Sequence, residues 1–62
     1  MGGSEVYIEM IRVGTIIKVN AVDANTGVEV SIQGPASTSQ AQLKKIAIDK
    51  LHYRLRQLVK ER

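Results

Sequence analysis

The chain has 62 residues, one histidine, no cysteine and a formal net charge of +3. A chain of this length is one domain with a thin stability margin, because it buries only about 60% of the surface that its unfolded form exposes. The missing cysteines exclude disulfide bonds and thiolate metal sites, and a single histidine leaves a zinc ion without its usual ligands.

The first four residues, Met-Gly-Gly-Ser, lack the positive charge and the apolar run of a signal peptide. We predict that residues 1–4 are disordered. No apolar run in the chain is long enough to cross a membrane. We therefore expect a cytoplasmic protein, and the absence of cysteine agrees with that expectation.

Three segments are rich in β-branched residues and are predicted as strands: 5–13, 16–22 and 28–33. Gly14-Thr15 fits a two-residue hairpin loop of type II′, which takes glycine in its first position. The next connection, 24–27, reads Ala-Asn-Thr-Gly and fits a four-residue loop on a type I turn, with Gly27 at positive φ.

The two loops set the strand pairing separately, and the two registers agree. The first loop pairs Val13 with Ile16, and the second pairs Asp23 with Val28. Together they predict nine apolar side chains on one face of an antiparallel β-meander: Val6, Ile8, Met10, Ile17, Val19, Ala21, Val28, Val30 and Ile32. A one-residue shift at either loop would divide this set between the two faces.

The rest of the chain has the pattern of an amphipathic helix. Ser37 or Ser39 can cap it, because a glutamine follows each of them three residues later. Apolar residues then recur at three- and four-residue steps, with Ile48 and Val59 at the rim of the stripe: Leu43, Ala47, Leu51, Leu55 and Leu58. This stripe is predicted to pack on the apolar face of the sheet.

The predicted fold is therefore α+β, in the order β-β-β-α. One small domain covers residues 1–62, with the β-meander at 5–34 and the helix at 37–61. A break at Gly34-Pro35 is predicted to end the sheet.

Several apolar residues remain after the core is assigned. Five lie on the other face of the predicted sheet and two lie off the helix stripe: Tyr7, Ile11, Val13, Ile16, Val22, Ile46 and Tyr53. They are either a surface for self-association or for contact with another protein, or ordinary exposed apolar surface. We favour self-association as a homodimer, because so small a core also gains from added buried area.

Residues 37–62 hold seven of the nine lysines and arginines but two of the six acidic residues. Four residues form a basic stripe on the helix side away from the sheet: Lys45, His52, Arg56 and Lys60. The stripe either contacts phosphates or an acidic partner, or is a solvated face in which Asp49 pairs with Lys45 and His52. We favour the solvated face and keep nucleic-acid binding as the alternative function, since two tyrosines offer little stacking surface.

No motif indicates catalysis. In the segment 23–27 the glycine stands one place too early for a calcium loop, and the distal glutamate of such a loop is missing. The segment is therefore predicted to be a hairpin turn. His52 would act as a general base only if a nucleophile and a carboxylate converged on it. We expect a non-enzymatic protein without catalytic residues, metal, cofactor, membrane contact or small-molecule substrate.

Ten short stretches of the sequence form a pattern over nearly the whole chain: Glu5-Val6-Tyr7, Arg12-Val13-Gly14, Lys18-Val19, Ala21-Val22-Asp23, Thr26-Gly27, Glu29-Val30, Gly34-Pro35-Ala36, Leu43, Lys50-Leu51 and Tyr53. Together they resemble a family of short, uncharacterised bacterial proteins, chiefly alphaproteobacterial, that form a domain of unknown function. The resemblance implies a cytoplasmic bacterial protein and supplies no activity and no site residue.

The order of strand, glycine and basic helix over 34–58 is also similar to the later part of a double-stranded-RNA-binding domain. The first helix of that domain has no counterpart here, and Ser37-Thr38-Ser39 stands where its lysine cluster would lie. This similarity concerns the fold alone and assigns no function.

Overall fold

In a computed structural model, which describes residues 5–60, the chain forms an antiparallel sheet covered by one long helix. The elements are β1 (Val6–Val13), β2 (Ile16–Asp23), β3 (Glu29–Pro35) and α1 (Gln40–Lys60). The strand order is β1-β2-β3, and α1 packs on β2 and β3. The predicted α+β fold is confirmed. The predictions for residues 1–4 and for residue 61 lie outside the described residues.

The strand register is the one that the two loops predict. Met10 pairs with Val19, which in turn pairs with Ile32. Gly14 and Gly27 have φ of 62° and 76°, and no other residue of the described chain has positive φ. The first loop is therefore of type II′, since type I′ would also require positive φ at Thr15.

Asp23 holds the second loop in place. Its side chain is 3% exposed, and Oδ2 accepts hydrogen bonds from the Thr26 backbone N–H at 3.0 Å and from the Thr26 hydroxyl at 2.7 Å. The Asp23 N–H donates to the carbonyl of Val28 at 2.9 Å, as the predicted pairing requires. The segment is a hairpin turn whose buried carboxylate has its hydrogen bonds satisfied within the turn.

The core forms between the predicted faces of sheet and helix. Six apolar residues of the described chain are buried: Ile17, Val19 and Ala21 from β2, and Leu43, Ala47 and Leu51 from α1. The other six members of the predicted apolar face, Val6, Ile8, Met10, Val28, Val30 and Ile32, are half-buried against this cluster. Burial therefore decreases from the central strand towards both edges of the sheet.

The structure differs from the prediction at the end of β3, because the sheet continues through Gly34 and Pro35. Pro35 is tolerated because β3 is an edge strand and the nitrogen of Pro35 faces away from β2, so no ladder bond is lost. A Cβ atom on Gly34 would lie 2.5 Å from Cδ2 of Leu43. Glycine at this position therefore makes room for a core leucine.

The helix begins at Gln40 rather than at residue 37. Of the two predicted caps the structure uses Ser39, whose Oγ accepts a hydrogen bond from the N–H of Gln42 at 3.1 Å. The preceding turn is fixed by the Ala36 N–H, which donates to the carbonyl of Thr15 at 2.8 Å. This bond ties the start of the connection to the first hairpin.

Candidate interaction surface

The outer face of the sheet, on the side away from α1, carries the five apolar residues that were predicted to lie there. Four of them are largely exposed: Tyr7 at 61%, Ile11 at 43%, Val13 at 71% and Ile16 at 46%. The fifth, Val22, is half-buried. Three of the five lie on one strand, β1, and the other two pair with it from β2.

A row of polar side chains crosses the outer face and divides these residues. Asn20 donates from Nδ2 to Oε1 of Glu9 at 3.5 Å, and the hydroxyl of Ser31 donates to Oδ1 of Asn20 at 2.6 Å. On one side of the row Tyr7 pairs with Val22. The outer face therefore holds two apolar areas rather than one.

The larger area is the hairpin-end patch, which consists of Ile11, Val13, Ile16 and Pro35. Ile16 pairs with Val13 on one side and with Pro35 on the other, so three apolar residues span the whole sheet. The surface is a shallow, open depression near Ile16 and Pro35. A shallow apolar area fits contact with another protein surface better than enclosure of a small ligand.

Ile46 and Tyr53 lie elsewhere, on the side of α1 that faces the β3 edge. Both are exposed and flank Lys50 at helical spacing. Lys50 donates from Nζ to the carbonyl of Ser31 on β3 at 2.8 Å. The structure therefore does not bring Ile46 and Tyr53 together with the residues of the outer face.

The basic stripe is exposed along its whole length. Lys45 forms an ion pair with Asp49 at 2.9 Å, and the two side chains are 76% and 62% exposed. Such a pair contributes little to stability, because solvent screens it. Between residues 5 and 60 His52 makes no ion pair with Asp49, so the predicted local pairing is seen for Lys45 alone.

Groups that could support chemistry are scattered over the surface. Among residues 5–60 no three His, Cys, Asp or Glu side chains come together in a way that could hold a metal ion. Within this part of the chain the one buried carboxylate, Asp23, accepts hydrogen bonds from Thr26. The helix of the described chain is not apolar enough over a sufficient length to cross a membrane.

Sequence reasoning gave no role to Lys50 or to the backbone of Ser31. Lys50 stands next to the buried Leu51, so its side chain emerges at the border of the helix stripe. That position was the available signal, because a long basic side chain at the border of a packed helix can reach the edge of the sheet below it.

A family model described as "Domain of unknown function (DUF6898)" matches residues 3–58. The match covers most of the chain and confirms the resemblance to a domain of unknown function. No curated protein and no solved structure matches the chain.

Proposed function

This chain belongs to the DUF6898 family, a domain of unknown function, and on that premise we propose that it is a small, non-enzymatic, cytoplasmic interaction module that self-associates as a homodimer. The observation that carries the proposal is the exposure of four large apolar side chains on the uncovered sheet face: Tyr7, Ile11, Val13 and Ile16. Exposed apolar clusters of this kind mark contact surfaces. A second copy of the chain is the default partner of such a surface.

The distribution of charge favours the sheet over the helix as the contact surface. Two copies that met through the exposed side of α1 would bring the basic stripe of one copy against the basic stripe of the other. Like charges brought together in this way repel. The outer face instead carries Lys18 together with Glu9 and Glu29, a mixed and nearly balanced set.

Replacing Tyr7 with lysine is expected to convert the dimer to a monomer. The substitution places a charge on the contact surface, and burying an unpaired ammonium group costs several kcal/mol. Tyr7 pairs with Val22, so the new lysine does not oppose another cation within the sheet. Light scattering at a fixed concentration measures the change in mass, and circular dichroism checks that the fold is retained.

Val59→Lys is the matched control, because Val59 is 72% exposed on α1 and lies outside the proposed surface. It makes the same type of change and should leave the mass unaltered. Equal masses for Tyr7→Lys and wild type, both folded and dimeric, would show that the contact lies elsewhere.

Nucleic-acid binding through the basic stripe is the second candidate function. Arg56 and Lys60 are exposed at the end of α1, and residues 37–62 hold most of the positive charge of the chain. We expect weak binding to duplex DNA or RNA that decreases steeply as salt is added, because each phosphate contact releases a counterion.

A salt titration of duplex binding tests this alternative. Arg56→Ala should weaken binding uniformly across sequences and reduce the salt slope by about 1, as loss of one phosphate contact does. Lys18→Ala, on the outer face of the sheet, removes the same charge and should change neither quantity. The alternative fails if wild type shows no binding to either duplex at low salt.

A further inference from the structure

The two edges of the sheet are not equivalent. The Ala24 N–H donates to the carbonyl of Glu5 at 2.9 Å, and the first hairpin closes at the pair Val13–Ile16. Odd-numbered residues of β1 therefore direct their backbone groups towards β2, and even-numbered ones direct them outward. Within the described chain β1 pairs with β2 alone, so four residues leave their N–H and C=O groups unpaired at the free edge: Val6, Ile8, Met10 and Arg12.

The edge at β3 is blocked in two places. Its outward carbonyl at Ser31 accepts a hydrogen bond from Lys50 at 2.8 Å, and its last outward position is Pro35, which has no N–H to donate. Charged side chains and proline are the common devices by which proteins protect a sheet edge from further pairing. The β1 edge has no proline and carries two charged residues, Glu9 and Arg12, of which Arg12 donates to the carbonyl of Gly14 in its own hairpin; the pairing of β1 with β2 continues over eight residues without a bulge.

The side chains of β1 also differ from those of an ordinary edge strand. Six of its eight residues are apolar, and they point to both faces of the sheet. Tyr7, Ile11 and Val13 are exposed on the outer face. On the inner face α1 covers β2 and β3, and an open cleft between β1 and the start of α1, lined by Lys44 among others, exposes part of Ile8 and Met10.

We infer that a second copy of this chain docks on the β1 edge, so that the two β1 strands pair antiparallel and form one continuous six-stranded sheet. The inference rests on the proposed function and names the way in which the two copies join. Strand addition at an open edge is a recurring mode of protein recognition.

The charges on β1 disfavour some registers of this pairing and permit the one with Met10 opposite Met10 of the second copy. The core face of one copy must continue into the core face of the other. A residue of β1 whose backbone groups point outward therefore pairs with another such residue. With Met10 opposite Met10 of the second copy, Tyr7 lies opposite Val13 and no like charges meet. A shift by one pair of residues towards the start of the strand would place Glu9 opposite Glu9, which repels.

The positions of the basic stripes and the area buried at the β1 edge also favour a second copy of the chain as the partner. In the six-stranded sheet the two α1 helices lie over the outer strands, so their basic stripes stay far apart. A stable interface hides about 800 Å² per partner, more than a backbone ladder alone provides. The apolar side chains of β1 on both faces would lie beside those of the second copy and add to this area, and they include Tyr7, Ile11 and Val13 of the proposed contact surface.

Amide hydrogen exchange of the wild-type chain tests the inference without any substitution. At a concentration where the dimer forms, the N–H groups of Ile8, Met10 and Arg12 should exchange on the order of tenfold more slowly than at a concentration where it dissociates. The outward N–H groups of Ser31 and Gln33, on the other edge, serve as the internal control and should not change.

Each outcome decides the matter when exchange is read together with the mass in solution. A dimer with concentration-dependent protection at Ile8, Met10 and Arg12 supports edge pairing. A dimer in which these amides exchange as fast as those of Ser31 and Gln33 overturns edge pairing and leaves self-association intact. A monomer at all concentrations overturns both, and protection that stays unchanged while the measured mass falls from dimer to monomer overturns edge pairing.

Discussion

Replacement of Leu51 with alanine is expected to lower the free energy of unfolding by about 2–5 kcal/mol. Leu51 is fully buried and belongs to the core cluster that residues of β2 and α1 form. Deletion of its side chain removes apolar burial and leaves a cavity that so few neighbours cannot fill. A domain of 62 residues has a total stability of only about 3–9 kcal/mol, so much of the variant should be unfolded.

Urea unfolding followed by circular dichroism measures this loss, with all samples at one protein concentration because self-association adds to the apparent stability. The control is Val59→Ala on the same helix. Val59 is 72% exposed, so its truncation should change the free energy by no more than about 0.5 kcal/mol. Similar losses for Leu51→Ala and Val59→Ala would contradict the assigned core.

Gly34→Ala is expected to cost about 1–3 kcal/mol, although it adds a single methyl group. The new Cβ atom would lie 2.5 Å from Cδ2 of Leu43, which is closer than two non-bonded carbon atoms can approach. Leu43 is itself buried between helix and sheet, so it cannot move aside without disturbing its neighbours. Gly34 has no positive φ, and the cost therefore comes from the close contact.

A double-mutant cycle with Leu43→Ala separates this contact from other effects of Gly34→Ala. Once the leucine side chain is removed, the added methyl group meets open space, and its cost should fall below about 0.5 kcal/mol. If Gly34→Ala destabilised the chain equally in both backgrounds, the close packing of Gly34 against Leu43 would not be the reason for glycine at this position.

The strand register was predictable because two independent loops specify it. Gly14 and Gly27 take the positive φ that their turns require, and each loop then fixes the partners of its strands. Side chains alternate along a strand, so the register alone placed Met10, Val19 and Ile32 on the core face. The core face was then the apolar surface of the sheet on which the helix stripe around Leu51 could pack.

The end of β3 was not predictable from local pattern. Gly34-Pro35 is a typical break, yet both residues continue the strand. Proline is tolerated there because the strand lies at the edge of the sheet. Glycine is required because Leu43 packs closely against it. Both reasons depend on residues distant in the sequence, so they are visible only once helix and sheet are packed.

The sequence predicted which residues belong to the candidate surface, but it did not predict how they lie relative to one another. Alternation in the strands was sufficient to place Tyr7 and Val13 on the outer face. The polar row through Asn20 depends on hydrogen bonds between three strands, and the separation of Ile46 from the sheet depends on where α1 lies. Neither follows from spacing along the chain.

Sedimentation equilibrium of the wild-type chain over a range of concentrations tests the central claim most directly. The chain has a mass of 6.8 kDa. We expect the measured mass to rise with concentration to twice that value and to stop there, since a symmetric pair leaves neither β1 edge free. A mass that stayed at that of one chain up to the highest concentration would contradict self-association.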